Sequence, residues 1–221
     1  IEINALWYNA LKIMESFANL YKEKELSKKY AELAKKCKES FIKKFYNKKR
    51  KCFDDLVGDN SIRPNQLFAI GLHYPVVEPN SVEAKTAFET VTKKLLTPYG
   101  LKTLAKGEKC YREIYEGDQI KRDMSYHQGI TWTWLLGIYS DSFLNIISAE
   151  KNKTKKKELE EQYSKFAQNV EDTFYNEMYN RSTVGSISEL YDSAKPYEAK
   201  GAFAQAWSVA EVFRIIEKRN K

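Results

Sequence analysis

Four short polar clusters carry most of the residues able to do chemistry in this 221-residue chain. They are Glu2-Ile-Asn4, Arg63-Pro-Asn-Gln66, Arg122-Asp-Met-Ser-Tyr-His-Gln-Gly129 and Gly185-Ser-Ile-Ser-Glu-Leu-Tyr-Asp192. Between them they hold the carboxylates Glu2, Asp123, Glu189 and Asp192 and the guanidinium groups of Arg63 and Arg122. They also hold the amides of Asn4, Asn65, Gln66 and Gln128, the Tyr126 phenol and the His127 imidazole. Metal chemistry is poorly supplied, because His73 and His127 lack paired-ligand spacing. No Gly-rich phosphate loop exists, and Ser186 and Ser188 lack a G-x-S-x-G elbow, so neither a metal nor a cofactor is expected. The remaining set suits a carbohydrate. Aromatic faces stack on sugar rings, amides bond hydroxyls, and paired acids hydrolyse glycosidic bonds.

The clusters lie where helices should begin. Hydrophobic periodicity predicts seven helical segments, roughly 2–21, 23–46, 64–72, 79–96, 127–148, 153–176 and 199–219. The even ones are two-sided: in 23–46, Leu26, Tyr30, Leu33, Cys37, Phe41 and Phe45 recur at three or four among twelve charged residues. The third, fifth and seventh are apolar nearly all round, and the first is intermediate, with Glu2, Asn4, Asn9 and Glu15 beside Trp7, Leu11, Met14 and Phe17. Segment 127–148 has one acid, Asp141, and 202–216 has only Glu211 and Arg214 as charges. A helix apolar on every side is buried on every side.

Half-exposed and buried helices therefore alternate, which predicts an all-α fold of two concentric layers, an α/α toroid. An α-solenoid is the alternative, but both of its layers stay partly wet and no fixed repeat period is present. If the inner helices run parallel, all four polar clusters meet on one rim. A closed ring of twelve helices would take roughly 380 residues with similar loops. The expectation is thus an incomplete barrel of about seven helices, with N-terminal helices missing and Ile1 a cut or processed end. The first and last inner helices should then expose apolar faces, open to self-association. Two loops break the pattern: Lys48–Asn60, read as a hairpin arm, and Thr97–Lys121, whose Tyr111 and Tyr115 could line the mouth.

Composition bounds the rest. The chain is 43% hydrophobic and 14% aromatic with nine Gly and five Pro, which excludes disordered and collagen-like classes. No run of 18 apolar residues is present, so no membrane partner is expected. The net charge of +7 comes from lysines interleaved with glutamates, a solvated surface rather than a nucleic-acid track. Three cysteines, Cys37, Cys52 and Cys110, fit a reducing cytoplasm better than a disulfide framework.

At these residues the chain resembles the C-terminal glucosidase domain of glycogen debranching enzymes, the amylo-α-1,6-glucosidase type. The resemblance rests on Glu2-Ile-Asn-Ala-Leu-Trp-Tyr-Asn-Ala-Leu11, Arg63-Pro-Asn-Gln66, Leu96-Thr-Pro-Tyr-Gly-Leu-Lys-Thr-Leu104 and Arg122-Asp-Met-Ser-Tyr-His-Gln-Gly129 with Trp132 and Trp134. Gly185-Ser-Ile-Ser-Glu189 and Ala204-Gln-Ala-Trp-Ser-Val-Ala-Glu211 complete it, and the pieces span essentially the whole chain. It implies an (α/α)6 barrel that hydrolyses α-1,6-linked glucose at branch points of glycogen or branched malto-oligosaccharides, with inversion. It also implies Glu189 as general base. The family's general acid lies in a Trp-Met-Asp segment upstream of the Glu-Ile-Asn-Ala-Leu stretch, so this chain is expected to lack it and to be inactive alone. Glu2, Asn4, Trp7, Arg63, Asn65, Gln66, Arg122, Asp123, Tyr126, His127, Gln128 and Trp132 are the expected substrate contacts. Trp132 and Trp134, two apart on a helix, should point to different sides, with at most one facing the cavity. Trp207 is expected in the core and His73 in a structural role. A non-catalytic glucan-binding module and a helical scaffold are the competing functions.

Overall fold

The computed structural model describes residues 1–59, 61–182 and 184–219. Helices dominate: α1 (Glu2–Leu20), α2 (Lys24–Phe45), α3 (Phe68–Gly71), α4 (Val82–Leu95), α5 (Gln119–Tyr126), α6 (Leu135–Ala149), α7 (Lys153–Asn180) and α8 (Ala206–Arg219). A 3-10 turn over Pro64–Leu67 leads into α3. Local chemistry sets several starts. Ser81, Asp118 and Asn152 each accept a backbone N–H of the first turn of α4, α5 and α7 with their side chains.

Of the long helices read as buried, α6 is so, whereas α8 buries only Ser208, Val212 and Ile215. Helix α6 buries ten of its fifteen residues, from Leu135 to Ile147, and forms the centre of the core. Helices α2 and α7 bury one face each, α7 through Tyr163, Ala167, Val170 and Phe174. The few charges of the apolar helices pair across their seam. Arg214 on α8 donates to Asp141 on α6 at 2.8 Å and to Glu211 at 2.5 Å. Close approach explains two glycines of the core: a Cβ on Gly71 would lie 2.9 Å from the Ile138 carbonyl, and one on Gly137 would overlap the Glu211 carboxylate.

Three boundaries differ from the sequence reading. The expected helix 127–148 begins only at Leu135. Gly129 has φ 131° and sits against the Arg112 carbonyl, and Thr131-Trp132 form a strand instead. Segment 199–205 is likewise not helical: Ala199–Lys200 pair as a strand, Gly201 turns the chain at φ 70°, and α8 starts at Ala206. The region up to Lys121, expected as loop, already holds the start of α5 at Gln119.

These departures share one cause, a small sheet. Strands β3 (Leu96–Thr97), β4 (Gly100–Lys102), β5 (Thr131–Trp132), β6 (Leu190–Tyr191) and β7 (Ala199–Lys200) lie side by side in that order, every pair antiparallel. Its side chains lock it, Thr131 Oγ1 to Ser193 Oγ at 2.7 Å and Thr133 Oγ1 to the Tyr99 carbonyl at 2.8 Å. The arm expected from Lys48 to Asn60 is in part a hairpin, β1 (Tyr46–Asn47) against β2 (Cys52–Phe53), beginning two residues earlier; Asn60 lies outside the described residues. Helices α1 and α8 expose apolar side chains in rows, Ile3, Trp7, Met14 and Phe17 on one and Trp207 and Phe213 on the other.

Candidate active site

Glu189 ends the loop that enters β6, and the β6–β7 pairing fixes it from behind. Its N–H donates to the Ala202 carbonyl at 2.9 Å, and the Ala202 N–H returns a bond to its carboxylate Oε2 at 2.9 Å. The other carboxylate oxygen, Oε1, accepts from the Tyr126 hydroxyl at the end of α5. Gly201 makes this approach possible, because a Cβ there would lie 2.4 Å from Glu189 Oε2.

Aromatic rings pack around Tyr126, which reaches this carboxylate. Tyr126 lies 5.8 Å from Tyr115, 4.7 Å from His127 and 4.8 Å from Trp132, centroid to centroid. His127 stacks on Trp132 at 5.2 Å and 14°. The Trp132 indole N–H donates to the Tyr126 carbonyl at 3.0 Å, tying β5 to the end of α5. Trp207 meets Trp132 edge-on at 6.1 Å and stacks with Trp134 at 5.2 Å. Burial pushes the Tyr126 phenol well above its ordinary range, and the facing Glu189 carboxylate adds to this. Burial also pushes the His127 imidazole down, helped by the Arg63 charge and opposed by Glu189.

Arg63 frames the other side. It donates to the Thr103 and His127 carbonyls at 3.1 and 2.7 Å and to Gln128 Oε1 at 3.0 Å, with Nε 3.7 Å from Asp55 Oδ2. Asn65 Nδ2 donates to Asp55 Oδ1 at 2.9 Å. The Ile1 amine donates to the Asp55 carbonyl at 2.8 Å, so Glu2 and the start of α1 lie beside it. Burial pushes the Asp55 carboxyl up, against the pull of Asn65 and Arg63. A cavity of about 440 Å³ opens next to the carboxylate, lined by Tyr115, Glu116, Gly117, Arg122, Lys200 and Gly201.

The structure thus gathers Glu189, Tyr126, His127 and Trp132 directly, with Gln128 and Arg63 behind them and Arg122 on the adjoining cavity. Asp123 is exposed on α5. Gln66, expected as a substrate contact, is buried, accepts from the Phe53 N–H at 3.2 Å and donates to the Arg63 carbonyl at 2.9 Å. Its amide, closed off from solvent, holds the hairpin to the turn. Asn4 and Trp7 stand exposed on α1. Trp132 and Trp134 are not two apart on a helix but flank a strand end, and both reach Trp207, which is 46% exposed rather than core. Tyr115 reaches the site whereas Tyr111 packs against Gly129.

Sequence reasoning missed Asp55, Gly201, the Ala202 N–H and the Trp207 pairing. Asp55 had no motif around it, and a backbone donor leaves no mark in a sequence. Asp192, picked for its carboxylate, is buried; it accepts from the Tyr115 N–H at 2.7 Å and faces Lys200 at 3.7 Å. It holds the loop rather than the site. Among the described residues, no three His, Cys, Asp or Glu side chains group as a metal ion needs, and no helix is long and apolar enough to cross a membrane.

Comparison with known proteins follows the same lines. The family model described as amylo-alpha-1,6-glucosidase matches residues 1–214. A solved structure titled sialidase superposes on 98% of the chain with a TM-score of 0.70 at 15% identity. A neutral trehalase from Saccharomyces cerevisiae does so over 98% with a TM-score of 0.64 at 14% identity. The chain spans 19% of the first and 37% of the second. At these identities the likeness is one of fold, that of an incomplete α/α barrel.

Proposed function

Because the chain belongs to the amylo-alpha-1,6-glucosidase family, we propose that it supplies the general-base side of a site hydrolysing α-1,6-glucosidic branch linkages in glycogen-type glucans, with inversion. One observation carries this reading: the Glu189 carboxylate has both oxygens oriented by donors, one of them Tyr126, whose ring packs against Tyr115, His127 and Trp132. In an inverting reaction the base takes a proton from water as that water attacks the anomeric carbon, while an acid protonates the departing oxygen. The two carboxyl groups stand about 6.5–9.5 Å apart to admit the water. Glu189 is the base. The sugar would contact Arg122 and Asp123 on α5, His127 and Gln128 after it, and the Trp132 ring.

No residue of the chain is assigned as the acid. A general acid needs a raised pKa and a free path to the leaving oxygen. Burial raises Asp55 and Asp192, but Asn65 and Arg63 engage the first and the Tyr115 N–H and Lys200 the second. The acid would come from the rest of the barrel, packed on the exposed apolar rows of α1 and α8, in a cytoplasmic debranching enzyme. The experiment joins the chain to an upstream segment carrying the acid and follows glucose release from a limit dextrin. Glu189→Gln should abolish release; activity that survives it unchanged sinks the assignment.

A second reading is favoured by the grouped indoles of Trp132, Trp134 and Trp207. The chain alone would then bind glucan without cleaving it. Calorimetry with malto-oligosaccharides separates the two: heat of binding without glucose release, in the joined protein too, would leave only this one.

A further inference from the structure

Tyr126 was expected to touch substrate, yet its hydroxyl already has a partner. It donates to Glu189 Oε1, and its ring is held on three sides by Tyr115, His127 and Trp132. Its own backbone is fixed in turn, since its carbonyl accepts the Trp132 indole N–H at 3.0 Å. On the far side the Ala202 N–H holds Oε2 at 2.9 Å, over a glycine that leaves the room. A glutamate on three rotatable bonds would otherwise sample several rotamers, most moving its oxygens by more than a hydrogen bond's tolerance.

Resting on the assignment of Glu189 as base, we propose that Tyr126 is a positioning residue. With the Ala202 N–H it forms a two-point clamp that holds the carboxylate in one orientation, leaving the outer lone pair of each oxygen for water. The clamp links α5 to the β6–β7 edge, so a movement of α5 would release the base. Burial, with the facing carboxylate, keeps the phenol protonated, and a protonated phenol is a donor to a carboxylate.

The test uses the chain with α-glucosyl fluoride, whose fluoride leaves without protonation and so needs no general acid. Tyr126→Phe keeps the ring and removes the donor. It should lower kcat at least tenfold and leave KM within threefold; a raised KM with kcat unchanged would make Tyr126 a substrate contact and overturn the proposal. A second readout needs no turnover. With tyrosine labelled at the ring carbon bearing oxygen, the Tyr126 resonance, identified by its loss in Tyr126→Phe, should titrate above the other exposed phenols. It should move back towards them in Glu189→Gln. A resonance that titrates as an ordinary phenol, or ignores Glu189→Gln, contradicts the clamp. The two readings fail separately: full activity in Glu189→Ala removes the base, whereas an inactive Glu189→Ala beside a fully active Tyr126→Phe removes only the clamp.

Discussion

Gly201 shows how little room surrounds the central carboxylate. With φ at 70° and a Cβ position 2.4 Å from Glu189 Oε2, Gly201→Ala should cost about 1–3 kcal/mol in backbone strain and contact. Thermal melting checks the loss, and an unchanged midpoint would show that the turn relaxes freely. His127 offers a pH test. Its folded pKa lies below the ordinary value of about 6.5, so the unfolded chain binds its proton more readily. Stability from this residue is present above the unfolded value and falls as pH drops through it towards the folded one. The wild type should therefore lose more melting temperature than His127→Gln between pH 7.5 and 5.5; equal losses would contradict this. Asp55 and Asp192, raised by burial, act with the opposite sign in both proteins and cancel in the comparison. At this scale Glu189 was legible because acid, serines and glycine sit together in one segment. Its Tyr126 donor lies 63 residues away, and only folding joins them.

At the scale of elements, periodicity was legible where one helix face is buried. The bounds of α1, α2 and α7 follow the spacing of their apolar residues. It misled at 127–134 and 199–205, because strands of two residues are too short to show alternation, and apolar residues in them read as helix. Gly129 and Gly201 were the available signals. Caps are a more local matter. Asn152 accepts the Lys155 N–H at 3.0 Å at the start of α7, so Asn152→Ala should cost about 1 kcal/mol in chemical unfolding. An effect below a few tenths would mean that the first turn of α7 frays without consequence. Leu136, buried in the first turn of α6, should cost about 2–5 kcal/mol as Leu136→Ala. A smaller loss would place α6 outside the cooperative core.

At the scale of the whole molecule, the exposed rows on α1 and α8 set its behaviour. Trp7 is 56% exposed and Phe213 55%, on helices whose other faces pack normally. Apolar area of this kind drives association. Sedimentation should show concentration-dependent self-association that Trp7→Lys with Phe17→Lys reduces; a monomer at every concentration, with no binding of an apolar dye, would argue that these rows are ordinary surface. The alternation of buried and half-buried helices made this architecture readable from sequence, whereas the five-stranded sheet that carries the base was not. The central claim is that Glu189 activates water on the face opposite the leaving group. It is tested most directly with the chain and α-glucosyl fluoride, following fluoride release and the anomer of glucose by proton NMR. The predicted result is β-glucose as first product, no release by Glu189→Ala, and restored turnover with azide that yields β-glucosyl azide. Release by Glu189→Ala at the wild-type rate, or α-glucose as first product, would contradict it.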